Sequence, residues 1–590
     1  MYPYHQVGYR SDEDPSFNHF AFWDNMHFPG VVMPFDSVWA VGIGWGCPEA
    51  VNRIFLHPSG GGFTTSIVNG FVYFQVLPEV VDHDRIAERA EMFRKRAGHY
   101  MNNWTGIYSK WTEKVTNMIH ETESLQFNDL PEIEKEDIVI NSSGIPEKSW
   151  TIYYNYSRLI NLIFLQWHYH FEMLDLSYAI QVTFFDFCKS HFTGITDKSI
   201  VDMLMGLEIA LYRPDEECKR LAELAVQLNL QDAIHSAEDF DDLGKIMGHL
   251  PNGERFLDAL NKSRNPWFNF YSEIHGWNST YRTWNEDTKV PLRFIKSYVN
   301  RVIGGEKIYR DIERLKEKSD EVYADYLGTL KDGNAKANFA KLRELARQSF
   351  SFLEDHDFYL HCWFPSVVYS KMRQLGSLMV LHGLLKDKED IFMFNHYEIP
   401  ELVFDLLQSN ASGLTPKAQH YLASDIGRRK GIIQSLTRWK PPQILGPVPS
   451  KIVDPLLIML FALTSEKIAR ILKMTKGDTE QSNLLIGIGG SGGIAEGPAR
   501  VVNSADQLDS IAEGDVLVCR SLSPAWAAAY NKLVGVVSDI GGIMSHAAIV
   551  AREYGLPAVL STETACDNIR SGMKVRVNGD LGTVEILGNG

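Results

Sequence analysis

With 590 residues the chain has room for several domains, and its net charge of -16 with no basic stripe excludes a nucleic-acid partner. Its six cysteines, Cys47, Cys188, Cys218, Cys362, Cys519 and Cys566, form no C-x-x-C pair, which excludes a disulfide framework and a structural zinc site. The polar opening lacks the apolar core of a signal peptide and the longest apolar run, 456–463, is too short to cross a bilayer, so a cytoplasmic protein without membrane contact is expected.

In chain order, 22–34 is aromatic and broken by Pro29 and Pro34, which predicts an ordered loop. Residues 67–74 predict a β-hairpin about Asn69-Gly70. A charged helical stretch over 82–124 and an acidic, proline-punctuated connection over 125–146 lead into 149–191. That run is apolar and aromatic on most sides, so it predicts a helix buried in a core or lining a cavity. Trp167 and His168 are its candidate substrate contacts. His168 and His170 stand two apart and point away from each other on a helix, so they are not read as a metal pair, and no metal site is expected.

Amphipathic helices follow over 200–250. Residues 270–287 then form a polar and aromatic run between helices, where binding groups are often carried on a rigid scaffold; His275, Trp277, Arg282 and Trp284 are its candidates. Helices resume from 291 to about 353, and a segment containing Glu354, His356, Tyr359 and His361 leads into a helix with Arg373. The basic helix end over 424–440 reads as a solvated face. A further helix is expected over 454–473. The Gly-rich run 487–493 lacks the Gly-Lys-Ser/Thr ending of a phosphate loop and reads as a flexible entry to the last domain.

The most informative stretch lies near the end. An apolar strand over 533–538 is broken by Gly541-Gly542, and an Ala-rich helix bounded by Gly555 and Pro557 follows, so His546 opens a helix. Unpaired first-turn amides and the positive end of the helix dipole favour an anion there and disfavour an imidazolium, so a neutral ring is expected. A neutral imidazole is a nucleophile, and Gly541, Gly542 and Ser545 would let backbone donors approach a phosphoryl group on it.

From 489 to 585 these residues resemble the swivelling phosphohistidine domain shared by pyruvate phosphate dikinase, phosphoenolpyruvate synthase and rifampin phosphotransferase. The resemblance runs through Gly497-Pro498-Ala499-Arg500-Val501-Val502, Gly514-Asp515-Val516-Leu517-Val518, Ser523-Pro524-Ala525-Trp526, the His546 segment and Gly572-Met573-Lys574-Val575-Arg576-Val577. It implies that His546 carries a phosphoryl group between two distant sites. Met544 stands where the dikinases place a regulatory threonine, so that control is expected to be absent. The segment 22–34 and the hairpin resemble the opening of the substrate domain of rifampin phosphotransferase. Residues 270–287 resemble a family segment ending in Pro-Arg-Trp-x-Glu-Asp-Pro, with Arg282 one place early and Thr288 in place of the proline. Residues 390–399 resemble a run whose arginines are missing here, leaving His356 and His361 as substitutes or as structural residues.

The expected architecture is multidomain α+β. A large, mainly helical substrate-binding domain with an N-terminal β-hairpin spans 1–480, a Gly-rich linker 481–493, and a small α/β swivelling phosphohistidine domain 494–590. Nothing ahead of that last domain reads as a nucleotide-binding unit, so ATP and Mg2+ are expected on a separate ATP-grasp subunit. The layout resembles rifampin phosphotransferase without its first domain and, more closely, the large subunit of phenylphosphate synthase. That resemblance implies conversion of phenol, ATP and water to phenyl phosphate, AMP and phosphate through a covalent phosphohistidine. Another hydroxylated aromatic or an antibiotic as acceptor, and a non-catalytic regulatory role, stay open. A phenol needs a base to ionise near neutral pH. His275 is the first candidate and His361 the alternative, with Arg282 as electrostatic clamp and Trp277, Trp284, the aromatic helix and Tyr359 as pocket walls.

Overall fold

The computed structural model describes residues 9–10, 20–58, 60–77, 80–130, 148–272, 276–449, 463–475, 483–523 and 526–589, with a few single positions between them. His275, much of the acidic connection and residues 476–482 lie outside this set.

The predicted hairpin is present. Strands β1 (Tyr9–Arg10), β2 (Ala21–Trp23), β3 (Phe63–Val68), β4 (Phe71–Val76) and β5 (Ile444–Leu445) form one sheet in the order β1-β3-β4-β2-β5. Asn69 and Gly70 take φ of 50° and 83°, the left-handed pair that a two-residue hairpin turn requires. The last two residues of β2, Phe22 and Trp23, lie inside the stretch read as loop. The prolines that break that stretch begin only at Pro29, which leaves Ala21–Trp23 free to pair with β4.

Thr65 Oγ1 donates to Ala40 O (2.6 Å) and Thr64 Oγ1 to Gly44 O (3.1 Å), tying the hairpin to helix α1 (Ser37–Glu49). α1 in turn lies against α2 (Lys148–His191), the aromatic helix, 44 residues long. Gly42 is needed at that crossing, because a Cβ there would lie 1.9 Å from Trp167 Cδ1. Helices α3 (Gly333–His356) and α4 (Phe364–Leu381) run on either side of a π-helical turn, Asp357–Trp363, and α3 packs along α2.

Buried Asp36 clips the 276–287 loop to this scaffold. Its Oδ2 accepts from Ser279 N and Oγ, each at 2.9 Å, and its Oδ1 accepts from Tyr369 OH at 2.9 Å. Burial pushes the Asp36 carboxyl from 3.8 up to about 7, against the pull of those hydrogen bonds. Between these two values the folded state binds more protons than the unfolded chain, so this group's contribution to stability falls as pH rises toward about 7 and is level above it. Asp36→Asn removes the titration. The stability of the Asn variant relative to wild type is expected to improve by up to roughly 1.4 kcal/mol per pH unit across that window. Urea unfolding at pH 5 and pH 8 measures it, and a pH-independent difference would contradict the assignment.

The C-terminal sheet contains β6 (Leu484–Ile486), β7 (Ile488–Ser491), β8 (Ile494–Val501), β9 (Asp515–Cys519), β10 (Leu533–Ser538), β11 (Ala558–Leu560), β12 (Met573–Asn578) and β13 (Thr583–Asn589). Their order is β6-β13-β12-β8-β9-β10-β11-β7; the run from β8 to β11 is parallel and antiparallel pairs flank it. The part of the expected linker from Leu484 onward is therefore sheet. Its glycines serve close packing rather than flexibility: a Cβ on Gly487 would lie 2.3 Å from Leu560 O, and one on Gly489 2.1 Å from Gly579 O. Of the helix expected over 454–473, the part from Ser465 is observed, as Ser465–Thr475, and most of 454–462 lies outside the described residues.

Strand alternation gives this sheet two apolar faces. Val516, Val518, Val537 and Val559 make a small core of their own on one face. Leu517, Cys519, Val536 and Leu560 on the other face join Trp526, Met544 and Ile549 in the large core of the helical region. The C-terminal domain is thus seated on the helical domain. Trp526 Nε1 donates to Ser272 O (3.2 Å), and Glu553 pairs with Arg310, whose guanidinium lies 3.6 Å from the Tyr212 ring centre.

Candidate active site

β10 delivers the chain to Gly541, whose φ of 118° suits only glycine, and helix α5 (His546–Glu553) starts at the expected histidine. Ser545 is its N-cap, but the Ser545 hydroxyl donates back to Gly542 O (2.8 Å) and caps no first-turn amide. The His546 side chain is 11% exposed, and it points away from its own domain into the helical one. Its Nδ1 lies 2.8 Å from Glu354 Oε2 at the end of α3. Its Nε2 is buried with no hydrogen-bond partner.

With Glu354 ionised, its carboxylate accepts the Nδ1 proton, the tautomer that leaves a lone pair on Nε2. Burial raises the Glu354 carboxyl above its usual 4.5, while its hydrogen bond to His546 acts the other way. A carboxylate made more basic by burial draws harder on the Nδ1 proton and leaves Nε2 a better nucleophile.

His546 lines a chamber of about 90 Å3 between the two domains. Trp167 and Phe171 from α2, Trp277, Phe63 and Phe74 from the hairpin, and Met26 form apolar walls, while His27, His170, His356, Asp357 and His361 supply polar groups. His27 Nδ1 lies 2.9 Å from both carboxylate oxygens of Asp24, which is fully buried. His170, His356 and His361 form a triangle with ring centres 5.0 to 5.1 Å apart. The π-helical turn makes this possible, because its i→i+5 repeat puts residues 356 and 361 on one face. Asp357 Oδ1 lies 2.7 Å from His361 Nδ1 and 3.3 Å from His356 Nε2, and His361 Nε2 lies 3.3 Å from His170 Nδ1. Burial holds the pKa values of His170 and His361 well below 6.5, and the neighbouring imidazoles lower them further, so both rings are neutral.

Of the residues singled out in the sequence, His546, Gly541, Ser545, Trp167, Trp277, His356 and His361 meet at the chamber. Gly542 backs it by accepting from Ser545. Trp284 is buried elsewhere, packed on Phe268, Phe270 and Phe294 with Nε1 donating to Ser272 Oγ. His168 stacks on Trp45, because one residue along a helix turns the side chain about 100° from Trp167. Tyr359 packs against Trp111 and Trp363 on the other side of the π-helical turn. Arg282, expected as the clamp, does not line the chamber; it pairs with Glu389 (3.1 Å) and braces Ser279 O (2.9 Å). Glu354, Asp357, His170 and His27 were not among the sequence candidates. Glu354 is 192 positions from His546, and no local pattern joins them.

Residues 511–582 match the family model described as PEP-utilising enzyme, mobile domain. The C-terminal domain is thus similar to such mobile domains. Beyond it, the chain is 28% identical over 361 residues to an uncharacterized phosphotransferase, YvkC, of Bacillus subtilis, covering 60% of this chain and 39% of that protein. It is 28% identical over 356 residues to a rifampicin phosphotransferase of the same organism, covering 59% and 36% respectively. The phosphoenolpyruvate synthase of Pyrococcus furiosus is 40% identical over 105 residues, 18% of this chain and 13% of that one. The chain thus spans about two-fifths or less of the length of these relatives. In the mobile domain His546 sits at the start of α5, and Met544 two residues before it is buried in the domain interface. No described helix is long and apolar enough to cross a membrane.

Proposed function

We propose that this chain is a phosphotransferase component in which His546 Nε2 carries a phosphoryl group and passes it to the hydroxyl of a small aromatic acceptor in the chamber. The observation that carries this reading is that His546, with Nε2 buried and without a hydrogen-bond partner, lines an aromatic-walled cavity shared with the other domain. The P–N bond to His546 breaks as the P–O bond to the acceptor forms. Nε2 recovers its electron pair, Nδ1 keeps its proton in the hydrogen bond to Glu354, and the acceptor proton passes to a base. His27 is that base: it lines the chamber, and Asp24 holds its Nδ1 in the arrangement of a carboxylate-oriented histidine. Apolar walls exclude water, which would otherwise hydrolyse the phosphohistidine.

A chamber of about 90 Å3 is small against the roughly 300–1,000 Å3 typical of drug-sized ligand sites. This favours a phenol-sized acceptor over a macrocyclic antibiotic. By the resemblance to phenylphosphate synthase, a separate nucleotide-binding partner with ATP and Mg2+ charges His546 after the mobile domain rotates away from its seat. His27→Gln is expected to leave phosphoenzyme formation intact and to slow transfer to phenol by roughly 10²–10⁴-fold. Single-turnover chase of labelled phosphoenzyme with a panel of phenols measures this, and an unchanged transfer rate would rule out His27 as the base.

A further inference from the structure

We propose that His170, His356 and His361 form a binding site for one divalent transition-metal ion of the zinc and cobalt class, on the chamber wall. All three are buried, and one ligand atom from each lies within 4.8 Å of the others. They come from separated parts of the fold, α2 on one side and the end of α3 with the π-helical turn on the other.

Three details of the geometry suit a metal. The 3.3 Å between His361 Nε2 and His170 Nδ1 matches the edge of a tetrahedron, which is roughly 3.3–3.4 Å long for metal–nitrogen bonds of roughly 2.0–2.1 Å. Asp357 accepts from His361 Nδ1 at 2.7 Å, the carboxylate–histidine pairing that orients a ligating imidazole and directs Nε2 to the ion. The same carboxylate engages His356 Nε2, while His356 Nδ1 is buried with no hydrogen-bond partner in a residue only 5% exposed. An orphaned ring nitrogen in that position is costly unless something binds it.

Imidazole donors suit zinc, cobalt and their neighbours and do not suit magnesium. The carboxylates of Asp357 and Glu354 beside the site offset a charge of 2+. Three protein ligands leave a position open, as in catalytic zinc sites. On the phosphotransfer reading, an acceptor oxygen taking that position would lose its proton more readily. That role rests on the proposed function, whereas metal binding does not.

The test uses the full chain, stripped with a chelator and titrated with Co2+ alone and then with Zn2+, so it requires no turnover. One equivalent of Co2+ is expected to give visible ligand-field bands that one equivalent of Zn2+ removes, with one zinc per chain by elemental analysis. His170→Gln and His356→Gln are expected to abolish the bands. Because buried histidines can be needed for folding, Asp357→Asn serves as the milder variant and should weaken binding by roughly 10–100-fold with an unchanged circular dichroism spectrum. His168→Gln, two residues from His170 but outside the chamber, should bind as wild type. Absence of stoichiometric Co2+ or Zn2+ binding, or binding that Asp357→Asn, His170→Gln and His356→Gln leave unchanged, would overturn the proposal.

Discussion

Replacing His546 with alanine is expected to abolish phosphoryl transfer and to remove all acid-labile, base-stable label from the protein. The reason is chemical, because among the chamber residues only His546 is a histidine of the C-terminal domain, and its Nε2 is buried without a hydrogen-bond partner. His361 and His170 are neutral imidazoles, yet they belong to the helical domain and not to α5. The helical domain should fold normally in the variant, because the His546 side chain contributes one hydrogen bond to the interface. Label retained in His546→Ala at wild-type level would move the carrier to another residue.

Glu354→Gln is expected to have the second largest effect. The amide keeps the shape of the carboxylate but can donate to Nδ1, which favours the tautomer with its proton on Nε2 and no lone pair to attack phosphorus. The comparable change in the serine protease triad lowers the rate by about 10⁴-fold, and a loss of roughly 10²–10⁴-fold is expected in the transfer step. On the proposal that the domain leaves this seat to be charged, the His546–Glu354 contact is absent at the donor site, and formation of the phosphoenzyme there should change little. Separate single-turnover measurements of charging and transfer distinguish the two steps. Equal losses in both would mean that Glu354 acts on the fold of the chain and not on the seated histidine.

Local signals were readable from the sequence and distant ones were not. Asn69-Gly70 fixes its turn within two residues, and the glycines, alanines and Pro557 around His546 fix a strand, a turn and a helix within about twenty. The long aromatic helix was legible because its apolar positions cover most of its circumference. The use of the Gly-rich run 487–493 was not legible, since a glycine that permits close strand packing and a glycine in a linker look alike without the opposing carbonyl of Leu560 or Gly579. The π-helical turn was equally hidden: residues 354–363 have an ordinary helical composition, and only the extra residue in the turn brings His356 and His361 onto one face. Arg282 misled because an arginine in a polar loop suggests an anion, while its partner, Glu389, lies 107 positions on. The pairing of Asp24 with His27 was within reach at three residues, but nothing local said that it would face the partner of α5.

The most direct test of the central claim is 31P NMR of the charged protein followed by addition of phenol. The account expects one phosphohistidine resonance, assigned to Nε2 of His546, that decays as an equal amount of phenyl phosphate or a related small aryl phosphate appears. A resonance from Nδ1 phosphorylation, or phosphohistidine that decays only to inorganic phosphate with every small hydroxylated aromatic tried, would contradict it.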